Sequence, residues 1–475
     1  MDNWLTPSGL EGSAFDPANS EGSDSYLPLG RLKTTRKSDP LTELRYSGRA
    51  HIFCVAASGT GKSQALALPA LLSWPHSAIV LDVKGELYFH TAGYRQKVLG
   101  HNIHRFDPSD PDSSKFNPLA FISRDPFRIE QSISDIAEVI VPIPPETRDP
   151  FFLRAARQII ETVLHYLCWH SPETPRMTDF VSTCFDPKRL KDALDEICGA
   201  LPGESGLLDS TRNIAAGLRE QFFDEKGALT KTAQSVWAEL SNQLTSLNTE
   251  QIKKITAATP KTSWEPGQLR GGKTTVYITL PPSARGQYRA IMALVMNAHL
   301  NQLLDRLPEH GAPPTLLLLD EMPQLGHMRA IEQVIDLGRG YGLLLYGFAQ
   351  RRKQIEQNYG NAGDFLGTFQ ARAYMNPSPE DGSAEMLSRA IGDKEKPGGA
   401  GLNMERAPVA PIHELCGPEF RDDMIILSRG ARPARVAKAF ISSPKHPLHD
   451  RLDMEAPARE RYAAQPPPKD MGSEL

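Results

Sequence analysis

The stretch Val55-Ala56-Ala57-Ser58-Gly59-Thr60-Gly61-Lys62-Ser63 constrains this chain more than any other part of it. The apolar run His51-Ile52-Phe53-Cys54-Val55 leads into it with the character of a short buried strand, and Gln64-Ala65-Leu66-Ala67-Leu68 reads as the start of a helix. A glycine-rich turn from strand to helix, with Gly-Lys-Ser at the helix start, is the setting of a phosphate-binding loop. Its glycines let backbone N–H groups turn inward onto phosphate oxygens, and the helix N-terminus adds partial positive charge. In that reading Ala57, Ser58, Gly59, Thr60, Gly61, Lys62 and Ser63 cradle the phosphates of ATP. Lys62 reaches the β- and γ-phosphates, and the Ser63 hydroxyl holds Mg²⁺. Ala56 stands where the common pattern has its first glycine, and alanine adopts positive φ only at a cost. The bland alternative is a strand–turn–helix with a surface lysine.

A chain of 475 residues suggests two or three domains, and 40% hydrophobic with 23% charged residues is ordinary globular composition. The formal net charge of −4 argues against a stand-alone, strongly basic DNA-binder. It leaves room for a ring whose channel alone is basic. The cysteines, Cys54, Cys168, Cys184, Cys198 and Cys416, lack zinc-ligand spacing and read as buried thiols of a reducing compartment. No apolar run approaches the ~18 residues that cross a bilayer, and no secretory signal opens the chain, so the expectation is a cytoplasmic protein.

Along the chain, residues 1–27 read as a flexible lead-in, and Gly30 to Lys37 as a solvated basic loop or a contact to nucleic acid or acidic lipid. Ser77 to Asp82 is a second buried strand, running into Asp82-Val83-Lys84-Gly85-Glu86, and His104 to Asp107 closes a third. From about Phe127 to Thr259 the periodicity is helical, with aromatic and leucine positions expected in a core. Strand character returns at Thr274–Leu280, followed by a helix from Gln287 to about Leu307. The apolar strand Thr315 to Leu319 then ends in Asp320-Glu321. In a nucleotide site Asp320 binds Mg²⁺, and Glu321 orients and deprotonates the attacking water.

Leu343 to Ala349 is another apolar strand, ending at Gln350, which can hydrogen-bond a γ-phosphate or the lytic water. These two strands are expected as neighbours, which sets the preceding turn Gly338-Arg339-Gly340-Tyr341-Gly342 near one edge of the nucleotide face. A helix at Ser383–Ile391 and a strand at Met424–Leu427 follow, and residues 455–475 read as a disordered tail. The expected fold is α/β: a mostly parallel sheet flanked by helices, built from residues 28–146 and 263–454, with an all-helical domain inserted at 147–262.

Several stretches together resemble the type IV coupling proteins of conjugation and secretion systems, the TraG-like family. They are Tyr46-Ser47-Gly48-Arg49-Ala50-His51, Leu81 to Glu86, Lys115-Phe116-Asn117-Pro118-Leu119, Leu319 to Gly326, Gly338 to Gly342, Ala349-Gln350, Tyr359-Gly360 and Leu387 to Gly392. In order and spacing they cover about residues 28–445. The resemblance implies a RecA-like P-loop motor with an inserted all-α domain, working as a homohexamer that hydrolyses ATP with Mg²⁺. It implies movement of single- or double-stranded DNA, or delivery of a relaxase or effector protein, to a type IV secretion channel. Channel ATPases and inner-membrane proteins would be the partners. The resemblance makes Arg339 an arginine finger on the neighbouring subunit's ATP and Gln350 a γ-phosphate sensor. Family members usually begin with membrane-spanning helices. Hydropathy finds none here, and Gly12-Ser13-Ala14 resembles the segment that follows them, so docking at the inner membrane is expected through partners. Two other readings stand beside this one: a soluble hexameric DNA translocase or helicase, and an adaptor that recruits substrates without hydrolysis. DNA-stimulated ATPase activity separates the adaptor from both motors.

Overall fold

The run Thr315–Leu319 can bury every side chain only inside a sheet covered on both faces. The computed structural model places it there, with all of its residues buried. The structure describes residues 3–16, 25–34, 42–144, 147–170, 174–201, 203–258, 263–280, 285–397 and 404–454. The strands are β1 (Leu27–Leu32), β2 (Thr42–Tyr46), β3 (Ile52–Ala56), β4 (Ala78–Asp82), β5 (Asn102–Phe106), β6 (Thr274–Thr279), β7 (Thr315–Leu319), β8 (Leu343–Ala349), β9 (Ala371–Met375), β10 (Asp393–Pro397), β11 (Met404–Pro408), β12 (Asp423–Ser428) and β13 (Ala434–Ala437). The helices used below are α1 (Leu68–Ser73), α2 (Glu86–Lys97), α3 (Ile129–Ile140), α4 (Phe151–His170), α5 (Met177–Phe185), α6 (Pro187–Gly199), α7 (Asp209–Phe222), α8 (Lys231–Leu244), α9 (Glu250–Thr256), α10 (Arg285–Leu304), α11 (Arg329–Leu337) and α12 (Arg352–Tyr359).

One sheet runs β2-β1-β13-β12-β9-β3-β8-β7-β4-β6-β5. From β9 to β5 every pairing is parallel, while β12, β13, β1 and β2 extend the sheet antiparallel. This is the expected α/β, RecA-like P-loop architecture. Because β3, β8 and β7 are adjacent and parallel, the segments after their C-terminal ends open on one side of the sheet, where α/β folds place their ligands.

Between β5 and β6 the described chain is helical, from α3 to α9, apart from one bridge joining Phe223 and Leu229. These helices share a continuous hydrophobic core with one face of the sheet. Helix α10 carries that continuity: Ile291 to Met296 are all buried, as in a helix covered on every side. It packs on α3 and α11. Phe116 stacks on Trp264 at 4.6 Å and on His299 at 4.8 Å between ring centroids. The adjacent Asn117 donates to Pro175 O at 2.9 Å and accepts from Leu119 N–H at 3.2 Å, fixing the path into the helices.

Residues 3–16 depart from the expected flexible lead-in. Leu5, Leu10 and Phe15 are buried, Leu5 N–H donates to Pro433 O at 2.8 Å, and Phe15 packs edge-on against Tyr46. Isolated apolar residues in a Ser- and Gly-rich segment have no period of their own, so only tertiary contact fixes them. Gly30 to Leu32 lies in strand β1, with Leu32 buried, and is not a solvated loop, while residues 35–37 of the basic stretch lie outside the described residues. Cys198 and Cys416 are exposed, unlike the buried Cys54, Cys168 and Cys184. The tail at 455–475 lies outside the described residues. No helix among the described residues is long and apolar enough to cross a membrane.

His299 on α10 is fully buried and neutral, with both ring nitrogens satisfied: Nδ1–H donates to Val295 O at 2.7 Å, and Nε2 accepts from Trp264 Nε1–H at 2.9 Å. Burial pushes its pKa down to about 4. A histidine with a depressed native pKa contributes stability that is present above the unfolded value of ~6.5 and lost as pH falls towards the native one. Between pH 6.5 and 5, His299→Gln should therefore remove about 1 kcal/mol per pH unit from the acid-side slope of folding stability. Urea titrations of both proteins across that range measure it, and equal slopes would contradict the assignment.

Candidate functional site

The loop after β3 follows from its glycines. Gly59 and Gly61 adopt φ of 77° and 83°, where a Cβ is strained. Gly61 is doubly constrained, since a Cβ there would lie 2.3 Å from Phe440 Cε1. Ala56, by contrast, is the last residue of β3, extended and paired with Met375, so its methyl costs no backbone strain. Ala57, Ser58 and Gly59 are exposed, and Thr60 closes the turn by donating Oγ1–H to Ala57 O at 2.7 Å. Ser63 opens a wide π turn, Ser63–Ala67, that runs into α1. The C-terminal segment braces this start, with Ile441 N–H donating to Gln64 O at 3.0 Å.

Lys62 points along the sheet edge to the end of β7. Its Nζ lies 2.7 Å from Asp320 Oδ1 and 3.4 Å from Glu321 Oε2. Burial opposes the charge on Lys62, but the two carboxylates outweigh it and hold the ammonium pKa above its usual value. Consecutive residues of an extended strand face opposite ways. Asp320 and Glu321 reach one ammonium because Glu321 turns into the left-handed region, at φ 67° and ψ 53°. Such backbone in a non-glycine residue costs on the order of 1 kcal/mol or more and persists only where surroundings fix it. Here they do: Glu321 Oε2 accepts from Gln350 Nε2 at 2.8 Å, and Oε1 accepts from Gln354 Nε2 at 3.0 Å.

Gln354 also belongs to this cluster, although no sequence motif marks it. Its Oε1 accepts from the backbone N–H groups of Gln350 and Arg351, each at 3.0 Å, so one amide ties the end of β8 to Glu321. The available signal was its i+4 spacing from Gln350 across the start of α12. Asp82 ends β4, fully buried beside the end of β7, where Asp320 N–H donates to Leu81 O at 3.1 Å. It accepts from Tyr88 N–H at 2.8 Å. Burial, with the Asp320 charge adding, pushes its pKa up to about 7. The hydroxyl of Ser63 and the carboxylate of Asp320 are hard oxygen donors that suit Mg²⁺, which is held through one or two protein ligands plus phosphate and water. A cleft of about 470 Å³ opens beside the loop, lined by Val55, Ala57, Gln350, Tyr374 and Asn376 among others.

Arg339 is not part of this cluster. β7 and β8 are neighbours as expected, but the Gly338–Gly342 turn precedes β8, whereas the site follows the strands. At ~3.3 Å per residue, β8 separates Arg339 from Gln350 by roughly 20 Å. The guanidinium is exposed and near Tyr46, whose hydroxyl donates to Ala50 O ahead of β3. The expectation that this turn lies at the edge of its own nucleotide face is corrected by strand direction.

The Lys62 contacts make a prediction that needs no ligand. Lys62→Ala leaves two carboxylates, 5% and 2% exposed, without their cation. It should destabilise the protein by about 3 kcal/mol, the usual cost of stripping one partner from a buried pair. Lys62→Met combined with Glu321→Gln should recover part of the loss in urea unfolding. Unchanged stability in Lys62→Ala would show that the contacts do not hold the site together.

Residues 30–395 match the family described as Type IV secretory system Conjugative DNA transfer. The chain is 24% identical over 370 residues to the conjugal transfer protein TraG of Escherichia coli, covering 74% of this chain and 56% of that one. It is 22% identical over 427 residues to the type IV secretion system-coupling protein VirD4 of Bartonella quintana, covering 84% and 64%. It therefore spans somewhat over half the length of these curated relatives. The plasmid coupling protein TrwB in complex with ADP and Mg²⁺ shares its fold, with a TM-score of 0.61 at 14% identity over 82% of this chain and 85% of that one. With more than half of its length inside the family match, the chain belongs to the coupling-protein family of type IV secretion and conjugative DNA transfer.

Proposed function

We propose that this chain is an Mg²⁺-dependent ATPase that acts as a homohexameric ring and drives DNA, a relaxase or an effector protein into a type IV secretion channel. The observation that carries the reading is the convergence of Lys62, Asp320, Glu321 and Gln350 at the ends of three adjacent parallel strands. In this reading residues Ala57 to Ser63 wrap the phosphates, and Ser63 and Asp320 would hold Mg²⁺, which when bound would supply positive charge for the transferred phosphoryl group. Lys62 shifts from the carboxylates to the β- and γ-phosphates. Glu321, released from that contact but still held by Gln354, accepts the proton of the attacking water, while Gln350 bonds the γ-phosphate or that water. TrwB, crystallised with ADP and Mg²⁺, supports the choice of nucleotide and ion.

Residues 28–146 and 263–454 form the motor in this reading, and residues 147–262 the helical unit that faces cargo. Docking at the inner membrane through partner proteins is part of it and rests on the family alone. Arg339, far from its own site and exposed, serves the adjacent subunit. Its planar, permanently charged guanidinium suits the γ-phosphoryl oxygens, and such fingers are worth on the order of 10³ or more in rate.

Glu321→Gln should bind ATP as the parent does while turnover falls about 10²-fold or more, because the base is gone and the Mg²⁺ ligand remains. DNA-stimulated ATPase assays with parallel nucleotide-binding measurements test this, and an unchanged rate would refute it.

Arg339→Ala and Glu321→Gln proteins should each be inactive alone and regain activity when mixed, since mixed rings contain interfaces with base and finger both intact. No recovery in rings shown to be mixed would exclude the trans role.

A further inference from the structure

A second cavity, of about 220 Å³, opens in the helical region between α3, α4 and α7, far in sequence from the phosphate loop. Its polar lining includes Glu130 and Ser134 from α3, Glu161 and His165 from α4, and Thr211 from α7. Glu161 and His165 lie one turn apart on α4 and so share a face. The mouth carries Ile214, an apolar residue left 40% exposed.

His165 sets this cavity apart from an acidic patch. Its side chain is 8% exposed and lines the cavity, yet its ring makes no hydrogen bond among the described residues. With no partner from the protein, the ring nitrogens face the cavity and are open to a ligand there. Burial pushes its pKa down to about 4, so at neutral pH the imidazole offers an acceptor nitrogen. The Glu161 carboxyl is held above its usual range by burial, against the opposing Ser134 hydrogen bond and the Arg157 charge. Arg157 is itself committed to Val141 O at 2.8 Å and Glu138 at 3.4 Å. Glu130 Oε1 takes one hydrogen bond, from Ser210 Oγ at 2.5 Å.

Two carboxyl groups, a neutral imidazole and the hydroxyls of Ser134, Thr162 and Thr211 present acceptors from three helices. Phosphate is repelled by this lining, which disfavours nucleic acid. No three His, Cys, Asp or Glu side chains among the described residues are grouped to hold a metal ion. A guanidinium fits: five N–H donors in a planar fork can meet acceptors on several sides, and the methylene stem can lie on Ile214.

We propose that this cleft binds an arginine side chain presented by a partner protein. The identity of that partner as transported cargo rests on the function proposed above; the arginine specificity does not.

The test uses the full chain with acetyl-Gly-Arg-Gly-amide as probe and the same peptide carrying citrulline, which has the arginine shape without its charge. Titration is followed by calorimetry and by the ring resonances of ¹³C-labelled His165. Saturable binding of the arginine peptide that moves the His165 signals, at least tenfold tighter than the citrulline peptide and weakened at least tenfold by Glu161→Gln, supports the proposal. Equal affinity for the two peptides, binding unaffected by Glu161→Gln, or no saturable binding overturns it. Glu130→Gln, at an exposed position, gives the same readout should Glu161→Gln misfold. ATPase rates measured on the same proteins keep the two readings apart, because a failed motor reading leaves the peptide affinities unchanged.

Discussion

The ammonium of Lys62, placed between Asp320 and Glu321, is the contact on which the rest of the site depends. Both carboxylates are almost wholly buried, and neither would be tolerated there without a cation within reach. The loop glycines exist to deliver that lysine. The left-handed turn at Glu321 brings the second carboxylate to it, and Gln350 and Gln354 hold the turn. ATP phosphates and Mg²⁺ would compete for the same charges, so this arrangement matches a site that exchanges internal ion pairs for ligand contacts and avoids leaving buried charge bare.

Much of the architecture was legible because central parallel strands are apolar runs with charged ends. His51–Val55, Ser77–Asp82, Thr315–Glu321 and Leu343–Gln350 announce both their burial and the side of the sheet where chemistry is placed. The helix at Ser383–Ile391 was legible from its period. The antiparallel extension was not: β1, β2 and β13 are short, mixed in polarity, and defined by pairing with distant segments. The packing of residues 3–16 escaped for the same reason, since Leu5 and Phe15 find partners over 400 residues away or on another strand. Gln354 escaped because its i+4 spacing from Gln350 is a weak signal for a glutamine in a polar helix until a buried carboxylate is seen opposite it.

Arg339 shows where reading by adjacency fails. Strands β7 and β8 are neighbours, so proximity was the natural inference, but parallel strands have direction. Residues before β8 and residues after β7 lie at opposite ends of the sheet. Sequence spacing alone does not tell at which end of the strands Arg339 lies; the strand direction does, and it sets Arg339 away from Lys62, Asp320 and Glu321 of its own chain.

The same directional logic bears on how the two parts of the molecule communicate. Helix α10 is buried on all sides from Ile291 to Met296 and touches both α3 and the turn Met322–Leu325 that immediately follows Glu321. That turn is tied to α12 by Asn358 Nδ2–H donating to Pro323 O at 3.3 Å and Tyr359 O–H donating to Gly326 O at 3.2 Å. Close-packed interiors transmit displacement because they have few voids to absorb it. A rearrangement at Glu321 therefore meets α10 directly, and α10 meets the helices beyond it through the Phe116, Trp264 and His299 stack. The helical region is thus a continuation of the core behind the Lys62, Asp320 and Glu321 cluster, and a change of charge at Lys62 has a packed route to it.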